Sequence, residues 1–209
     1  MENVEILPND FPKFDFPFKI IIIGDSNTGK SCISIRATRK LFEQVYVPTV
    51  GFEFFAFSTR INNKVIKLQI WDTCGQETFR SLISSFYKNS SLAILVYSID
   101  NKESFTHIEN WLNDFRKHNP NAKIILVGNK SDLEESRVVS KDEGENFAKA
   151  NKLDMFFETS AKSGYNAQKV FIEATKLLYQ EFLEKKKEEE KKKEQEEDEE
   201  DSEEKEKNN

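Results

Sequence analysis

Short runs of apolar residues alternate along the chain with longer stretches in which apolar residues recur every three or four positions. Such runs are typical of buried strands, and such stretches are typical of helices with one apolar face. The strand candidates are residues 18–23, 51–58, 64–71, 92–98, 123–128 and 155–159, and the helix candidates are residues 31–41, 104–118, 140–150 and 166–182. Their alternation predicts an α/β fold, a mostly parallel six-stranded sheet with helices on both faces.

Local signals mark the ends of several of these elements. The pair Asn62-Asn63, between the second and third strands, suits a tight hairpin turn. Ser104 is the predicted N-cap of the second helix. Ser140 and Glu143 have the spacing of a capping box, in which each residue bonds the backbone of the other, and they predict the start of the third helix.

The two ends of the chain differ in composition from the rest. Residues 1–17 hold Pro8, Pro12 and Pro17 among three phenylalanines, and prolines this dense predict an extended arm rather than a helix. Residues 18–183 form the predicted domain. Residues 184–209 form a charged tail, in which Glu–Lys pairs four residues apart favour a helix as far as residue 194. The six consecutive acidic residues 196–201 favour disorder beyond it.

The charge and the cysteines of the chain exclude several classes of protein. The tail has 14 acidic and 8 basic residues, whereas residues 1–183 have 23 of each, so the net charge of −6 lies in the tail. A neutral body gives no field that would attract nucleic acid, so we expect no nucleic-acid partner. No apolar stretch approaches the length that a membrane span needs. Two cysteines make no disulfide framework, which suits a reducing cytosol.

Residues 24–31, Gly-Asp-Ser-Asn-Thr-Gly-Lys-Ser, fit the phosphate-loop pattern G-x-x-x-x-G-K-[ST] between a predicted strand and a predicted helix. Gly24 and Gly29 allow backbone angles and close approaches that a Cβ would forbid. The loop amides and the helix N-terminus then form an anion cradle. Lys30 is expected to reach the β- and γ-phosphates of a nucleotide, and the Ser31 hydroxyl to bind Mg²⁺. The other predicted nucleotide-binding residues here are Ser26, Asn27, Thr28 and Cys32.

A second motif, D-x-x-G, ends the third predicted strand at Asp72 and Gly75. Asp72 is placed to hold Mg²⁺ through a water, and Gly75 lets a backbone amide meet the γ-phosphate. The motif is weak alone, but it follows the phosphate loop by one hairpin, where such a metal ligand is expected.

A third motif, N-K-x-D, follows the strand candidate 123–128 and indicates selection for guanine. The Asp132 carboxylate can accept both N1–H and the exocyclic N2–H of guanine, whereas adenine offers neither donor. The stem of Lys130, next to Asn129, is expected to pack along the base. The segment after the last strand supplies the remaining predicted base contacts: Ser160, Ala161 and Lys162.

These motifs, in this order, resemble those of the Ras-like small GTPases, and within them the Rab family, over about residues 17–182. Rab-typical stretches are residues 50–54, 67–71, 79–82 and 86–88. The resemblance implies a phosphate-loop small GTPase fold that binds GTP or GDP with Mg²⁺ and hydrolyses GTP slowly without an activating protein. It also implies a monomer in vesicle trafficking whose partners are effectors, exchange factors and activating proteins.

The resemblance also assigns individual roles. Thr49 matches the threonine that ligates Mg²⁺ and senses the γ-phosphate, and Phe42 matches the aromatic residue that packs on guanine. Gln76 matches the catalytic glutamine that orients the attacking water, with Lys30 as the second catalytic group. Three aromatic residues match the triad that effectors of Rab proteins read: Phe54, Trp71 and Phe86.

The sequence departs from the Rab pattern in four places, one of which is Asn89-Ser90-Ser91. Cys74 stands where alanine is usual, and Asn27-Thr28 replaces a common Gly-Val. No cysteine follows Cys74, so the expected prenylation signal is missing. From this we expect a cytoplasmic protein without a direct lipid anchor, recruited to vesicle or organelle surfaces by partners.

Two alternatives to a hydrolysing switch stay open from the sequence. One is a GTP-binding interaction protein with negligible turnover, suggested by Cys74 and the unusual loop. The other is a structural adaptor in which the tail is a spacer or a docking helix and the nucleotide is a structural ligand.

Overall fold

A computed structural model describes residues 4–8, 10–42, 49, 51–75 and 85–207, with side chains as far as residue 193. Contacts divide the chain into two compact units, residues 1–175 and residues 176–209. The first unit contains the sheet and every residue of the candidate site. The second unit contains the charged tail.

The described residues include seven strands that form one sheet in the order β1-β3-β4-β2-β5-β6-β7. The strands are β1 Val4–Leu7, β2 Phe16–Ile23, β3 Phe52–Ile61, β4 Lys64–Thr73, β5 Leu92–Ser98, β6 Lys123–Asn129 and β7 Met155–Glu158. Strands β4, β2, β5, β6 and β7 run parallel to one another, and β3 runs antiparallel to both of its neighbours. The prediction of a mostly parallel α/β sheet is confirmed.

The seventh strand lies in the segment predicted to be an extended arm. Val4 pairs with Ile61 and Leu7 pairs with Ser58, so β1 extends the sheet at the free edge of β3. Leu7 is buried. The prolines exclude a helix, as predicted, but they do not exclude a four-residue edge strand before them. Such a strand is too short to show a clear alternation of apolar and polar positions.

The other strands lie close to their predicted positions. Strand β2 begins two residues earlier than expected and includes Pro17. Pro17 pairs with Lys67 of β4, whereas the pairing of β2 with β5 starts only at Ile20, so the proline interrupts no ladder on that side. Asn62 and Asn63 both have positive φ angles, 49° and 62°, as a tight type I′ hairpin requires.

The described helices are α1 Lys30–Arg39, α2 Lys102–Thr106, α3 Ile108–His118, α4 Lys141–Ala150 and α5 Ala167–Lys207. The predicted helix 104–118 is therefore two helices, with His107 at the junction. Its predicted N-cap, Ser104, lies inside α2, and Asn101 is the cap instead, because the Asn101 side chain accepts a hydrogen bond from the Ser104 amide. The predicted capping box of Ser140 and Glu143 is present at the start of α4.

Helix α5 continues through the tail to Lys207, past residue 194, where the prediction placed its end. Glutamate and lysine are strong helix formers, and the tail contains neither glycine nor proline. Two ion pairs four residues apart stabilise the helix where the tail begins. Glu181 pairs with Lys185 at 2.7 Å, and Lys186 pairs with Glu190 at 3.6 Å. None of the described helices is both long enough and apolar enough to cross a bilayer.

Helices cover both faces of the sheet within the first unit. Alternate residues of β2, Ile21 and Ile23, pack in one buried cluster with Trp111 and Phe115 of α3. On the opposite face, α1 contacts β3 and β4, and the centroid of the Phe171 ring lies 5.5 Å from that of the Phe57 ring. Because the parallel strands end at the same edge, the loops after β2, β4, β6 and β7 meet there.

Candidate functional site

The loop between β2 and α1 is shaped by two glycines. Gly24 has φ 143°, and a Cβ there would lie 2.1 Å from the carbonyl oxygen of Val96 in β5. Gly29 has φ 87°, and a Cβ there would lie 2.3 Å from Nδ2 of Asn129. Neither position can take a larger residue without moving a neighbouring strand or the N-K-x-D motif.

Inside this loop, hydrogen bonds converge on the main-chain carbonyl of Asp25. It accepts from Thr28 Oγ1 at 2.9 Å and from Lys30 Nζ at 2.7 Å. Lys30 is only 5% exposed. Burial lowers the pKa of its ammonium, and the carboxylates of Asp72 and Asp25 oppose that effect. A buried cation beside loop amides is a site for an anion. Ser26 and Asn27, by contrast, are exposed.

Three oxygen donors meet at the start of α1. Ser31 Oγ lies 2.8 Å from Thr49 Oγ1 and also donates to Asp72 Oδ2. Asp72 is fully buried, and its Oδ1 has no hydrogen-bond partner among the described residues. Burial raises the pKa of Asp72 to about 7, against the opposing effects of Lys30 and Ser31. Two hydroxyls and a carboxylate with an unsatisfied oxygen fit Mg²⁺, which prefers oxygen ligands.

Gly75 packs directly against the phosphate loop. A Cβ on Gly75 would lie 2.3 Å from Asp25 C and Ser26 N, and 2.4 Å from Lys30 Nζ. The D-x-x-G motif therefore reaches the residues expected to hold the phosphates. Cys74, beside it, is buried at 3% exposure and belongs to the apolar cluster under the sheet.

A cavity of about 250 Å³ lies beside the loops that follow β2, β6 and β7. Nine of its lining residues were predicted to bind nucleotide, and the tenth, Leu133, was not. The lining residues are Asn27, Gly29, Cys32, Phe42, Asn129, Lys130, Asp132, Leu133, Ala161 and Lys162. The structure thus brings the residues predicted to select guanine into one cavity next to the phosphate loop.

Two side chains fix the walls of this cavity. Ser160 Oγ donates to Asp132 Oδ1 at 2.6 Å, which orients the carboxylate expected to read the base. Asn129 is 1% exposed, and both ends of its amide are bonded within the protein. Its Nδ2 donates to the Thr28 carbonyl at 2.8 Å, and its Oδ1 accepts from Thr159 Oγ1 at 3.0 Å. Asn129 therefore joins three segments of the site.

A model of the Ras family matches residues 19–180 of the chain. The chain belongs to the Ras family. The matched stretch contains the phosphate loop, the oxygen donors around Ser31 and the whole cavity. Members of this family are small GTPases that bind GTP or GDP with Mg²⁺. The geometry of this Ras-family protein fits a nucleotide and fits Mg²⁺.

A group of aromatic side chains from β3, β4 and Phe86 lies together in this GTPase. The centroid of the Trp71 ring system lies 5.9 Å from that of Phe54 and 5.7 Å from that of Phe86, so Trp71 contacts both of the other predicted effector residues. Phe52 joins them, 4.9 Å from Trp71 and 4.7 Å from Phe86, and was not predicted. Phe52 and Phe54 are 44% and 48% exposed. We call these four residues the aromatic cluster.

One predicted site residue is not described by the structure, and one group with clear polar contacts was missed by the sequence analysis. Gln76, the predicted catalytic glutamine, lies outside the described residues. The missed group is the Asp25 side chain, which contacts His107 Nδ1 at 2.6 Å and Trp111 Nε1 at 2.7 Å. These partners lie 82 and 86 residues away in sequence, and no motif in α3 points to them.

Proposed function

We propose that this Ras-family GTPase is a switch of the Rab type that acts in vesicle trafficking and recruits effectors in its GTP state. The observation that supports this best is the aromatic cluster, whose Phe52 and Phe54 are exposed on β3 beside the proposed metal ligand Asp72. Phe54 pairs with Trp71 in the sheet, and the next pairs are Glu53 with Asp72 and Phe52 with Thr73. Asp72 therefore pairs with the residue that lies between the two exposed phenylalanines. A shift of the Asp72 backbone on metal binding would move both rings.

The base would bind in the cavity, with the Asp132 carboxylate accepting from guanine and Phe42 packing against the ring. Lys30 and the loop amides would hold the β- and γ-phosphates. Ser31, Thr49 and Asp72 would hold Mg²⁺, which when bound neutralises charge on the phosphates. Gln76 would orient a water for in-line attack on the γ-phosphate. Turnover would be slow alone, because the arginine that speeds such reactions would come from an activating protein.

The GTP state would order the segments near Thr49 and Gly75, and hydrolysis would release them. The partners would then be effectors that read the aromatic cluster, exchange factors and activating proteins. We also propose that protein partners bring this GTPase to membranes, because the tail's net charge of −6 opposes attraction to an anionic lipid surface.

Capture of vesicle-tethering effectors by the full chain tests this proposal. Protein loaded with a non-hydrolysable GTP analogue should retain an effector that GDP-loaded protein does not, and Phe54→Ala should lose that capture. Phe14→Ala is the matched control, since Phe14 is an equally exposed phenylalanine that stacks with Lys67 near the opposite end of β4. Capture that ignores the nucleotide, or that Phe54→Ala leaves intact, would refute the Rab-type reading.

A further inference from the structure

Both oxygens of the Asp25 carboxylate are held, one by α3 and one by His107, the residue just before it. Oδ1 accepts from the Trp111 indole N–H, and Oδ2 contacts His107 Nδ1. An ionised carboxylate can only accept, so both ring nitrogens serve as donors. Hydrogen bonds to a charged acceptor are about twice as strong as those between neutral groups. The Asp25 side chain is 16% exposed and that of His107 is 26% exposed, so water screens this contact only partly.

The backbone of the same residue supports the catalytic lysine. Its carbonyl accepts from Lys30 Nζ and from Thr28 Oγ1, and Gly75 packs against its carbonyl carbon. Asp25 therefore connects α3 with Lys30 and with the glycine of the D-x-x-G motif.

The contact also offsets the negative charge of the Asp25 carboxylate. Asp25 puts a negative charge in the loop that must bind a nucleotide's phosphates, and a free carboxylate there would repel them. Holding both oxygens in this way keeps that charge compensated by N–H donors and fixes the rotamer of Asp25. The loop backbone is then set for the anion before the nucleotide arrives.

We propose that His107 and Trp111 are positioning residues for the phosphate loop: by holding Asp25, they slow the release of bound nucleotide. The inference rests on the proposed nucleotide binding and deepens it. It assigns a role in nucleotide retention to α3, none of whose residues lines the cavity. It also predicts that the role depends on the N–H donors and not on the bulk of the two rings.

The test is the dissociation rate of a fluorescent GDP analogue from the full chain at saturating Mg²⁺. His107→Ala removes one donor and Trp111→Phe removes the other while keeping a ring, and each should raise the rate by about tenfold. His107→Asn places an amide N–H where Nδ1 was, and should restore the rate to within about twofold of wild type. His118→Ala, which removes the exposed histidine at the far end of α3, should release the analogue at the wild-type rate.

A double-mutant cycle separates positioning from general damage to the fold. In an Asp25→Ala background His107→Ala should have no further effect, because its acceptor is gone. Wild-type release by His107→Ala, failure of His107→Asn to rescue, or an undiminished effect in the Asp25→Ala background would each overturn the inference. Should Trp111→Phe fold poorly because Trp111 is fully buried, the histidine variants still decide. Absence of nucleotide binding by the wild-type chain would instead defeat the proposed function.

Discussion

The Asn129 side chain donates a 2.8 Å hydrogen bond to the carbonyl of Thr28, across 101 residues of sequence. This bond joins the motif predicted to select the base to the loop predicted to hold the phosphates. Gly29 makes the approach possible, because a Cβ there would lie 2.3 Å from the Asn129 amide nitrogen. Two motifs that are separate in sequence therefore form one rigid site.

Asn129→Ala tests this link. The substitution leaves the Thr28 carbonyl and the Thr159 hydroxyl without their partner in a buried place, so stability should fall by about 1–3 kcal/mol. Affinity for GDP and GTP should fall together, because the loop is disturbed for both. Denaturant unfolding and nucleotide titration measure the two effects. Asn151→Ala, at a half-buried asparagine just after α4 that does not line the cavity, is the control, and equal affinities for Asn129→Ala and wild type would contradict the link.

Asp132→Asn tests the choice of base. An amide cannot accept both guanine N–H groups, so GTP binding should weaken by about 2–4 kcal/mol. Xanthine carries an oxygen where guanine has its amino group, so the same variant should gain affinity for xanthosine triphosphate. Competition between the two nucleotides on wild type and variant provides the measurement. A variant that keeps wild-type affinity for GTP would remove Asp132 from the guanine site.

Asp72→Asn separates metal binding from stability. The variant should lose most of the Mg²⁺ dependence of nucleotide binding, because the amide is a poorer ligand than the carboxylate. Without metal, the folded protein holds a proton on Asp72 up to about pH 7, whereas the unfolded chain loses it near 3.8. Asp72 therefore makes the metal-free protein less stable as the pH rises through this range, and the variant should lack that decline.

Thermal unfolding in chelator at several pH values checks the second part. The difference in stability between variant and wild type should grow in favour of the variant from about pH 4 to pH 7. A stability difference that stays constant between about pH 4 and pH 7 would mean that burial of the carboxylate carries no such cost.

Gln76→Leu tests hydrolysis. We expect nearly unchanged affinity for GTP but much slower turnover, since the glutamine is assigned to the attacking water and not to the nucleotide. Single-turnover hydrolysis with and without an activating protein is the measurement. If wild type also turns over negligibly in both conditions, the protein binds GTP without acting as a hydrolysing switch.

The nucleotide site was the most predictable part of this protein, because its chemistry constrains short motifs. Asp132, Lys30 and Ser31 could be placed from spacing alone, and the structure brings them to one edge of the sheet. The capping box at Ser140 was predictable for the same reason, as both of its partners lie within four residues.

The features that the sequence did not reveal depend on contacts between residues far apart in the chain, or on small opposing contributions to stability. Strand β1 exists because β3 offers a free edge 50 residues later. The helical tail reflects helix propensity outweighing repulsion between like charges. The contact of Asp25 with His107 and Trp111 follows from the packing of α3 against the loop, which no local pattern records. Asn101 and Ser104 are both residue types that cap helices, and they lie three positions apart. The sequence alone did not show that Asn101 is the cap.

The cavity and the phosphate loop together are proposed to bind a guanine nucleotide. Competition binding to the full chain with Mg²⁺, with a fluorescent GDP displaced by unlabelled GTP, GDP or ATP, tests this proposal directly. We predict displacement by GTP and GDP at similar concentrations, and a preference over ATP on the order of 10⁴-fold. Failure to bind any guanine nucleotide, or displacement by ATP at the same concentration as GTP, would contradict the account.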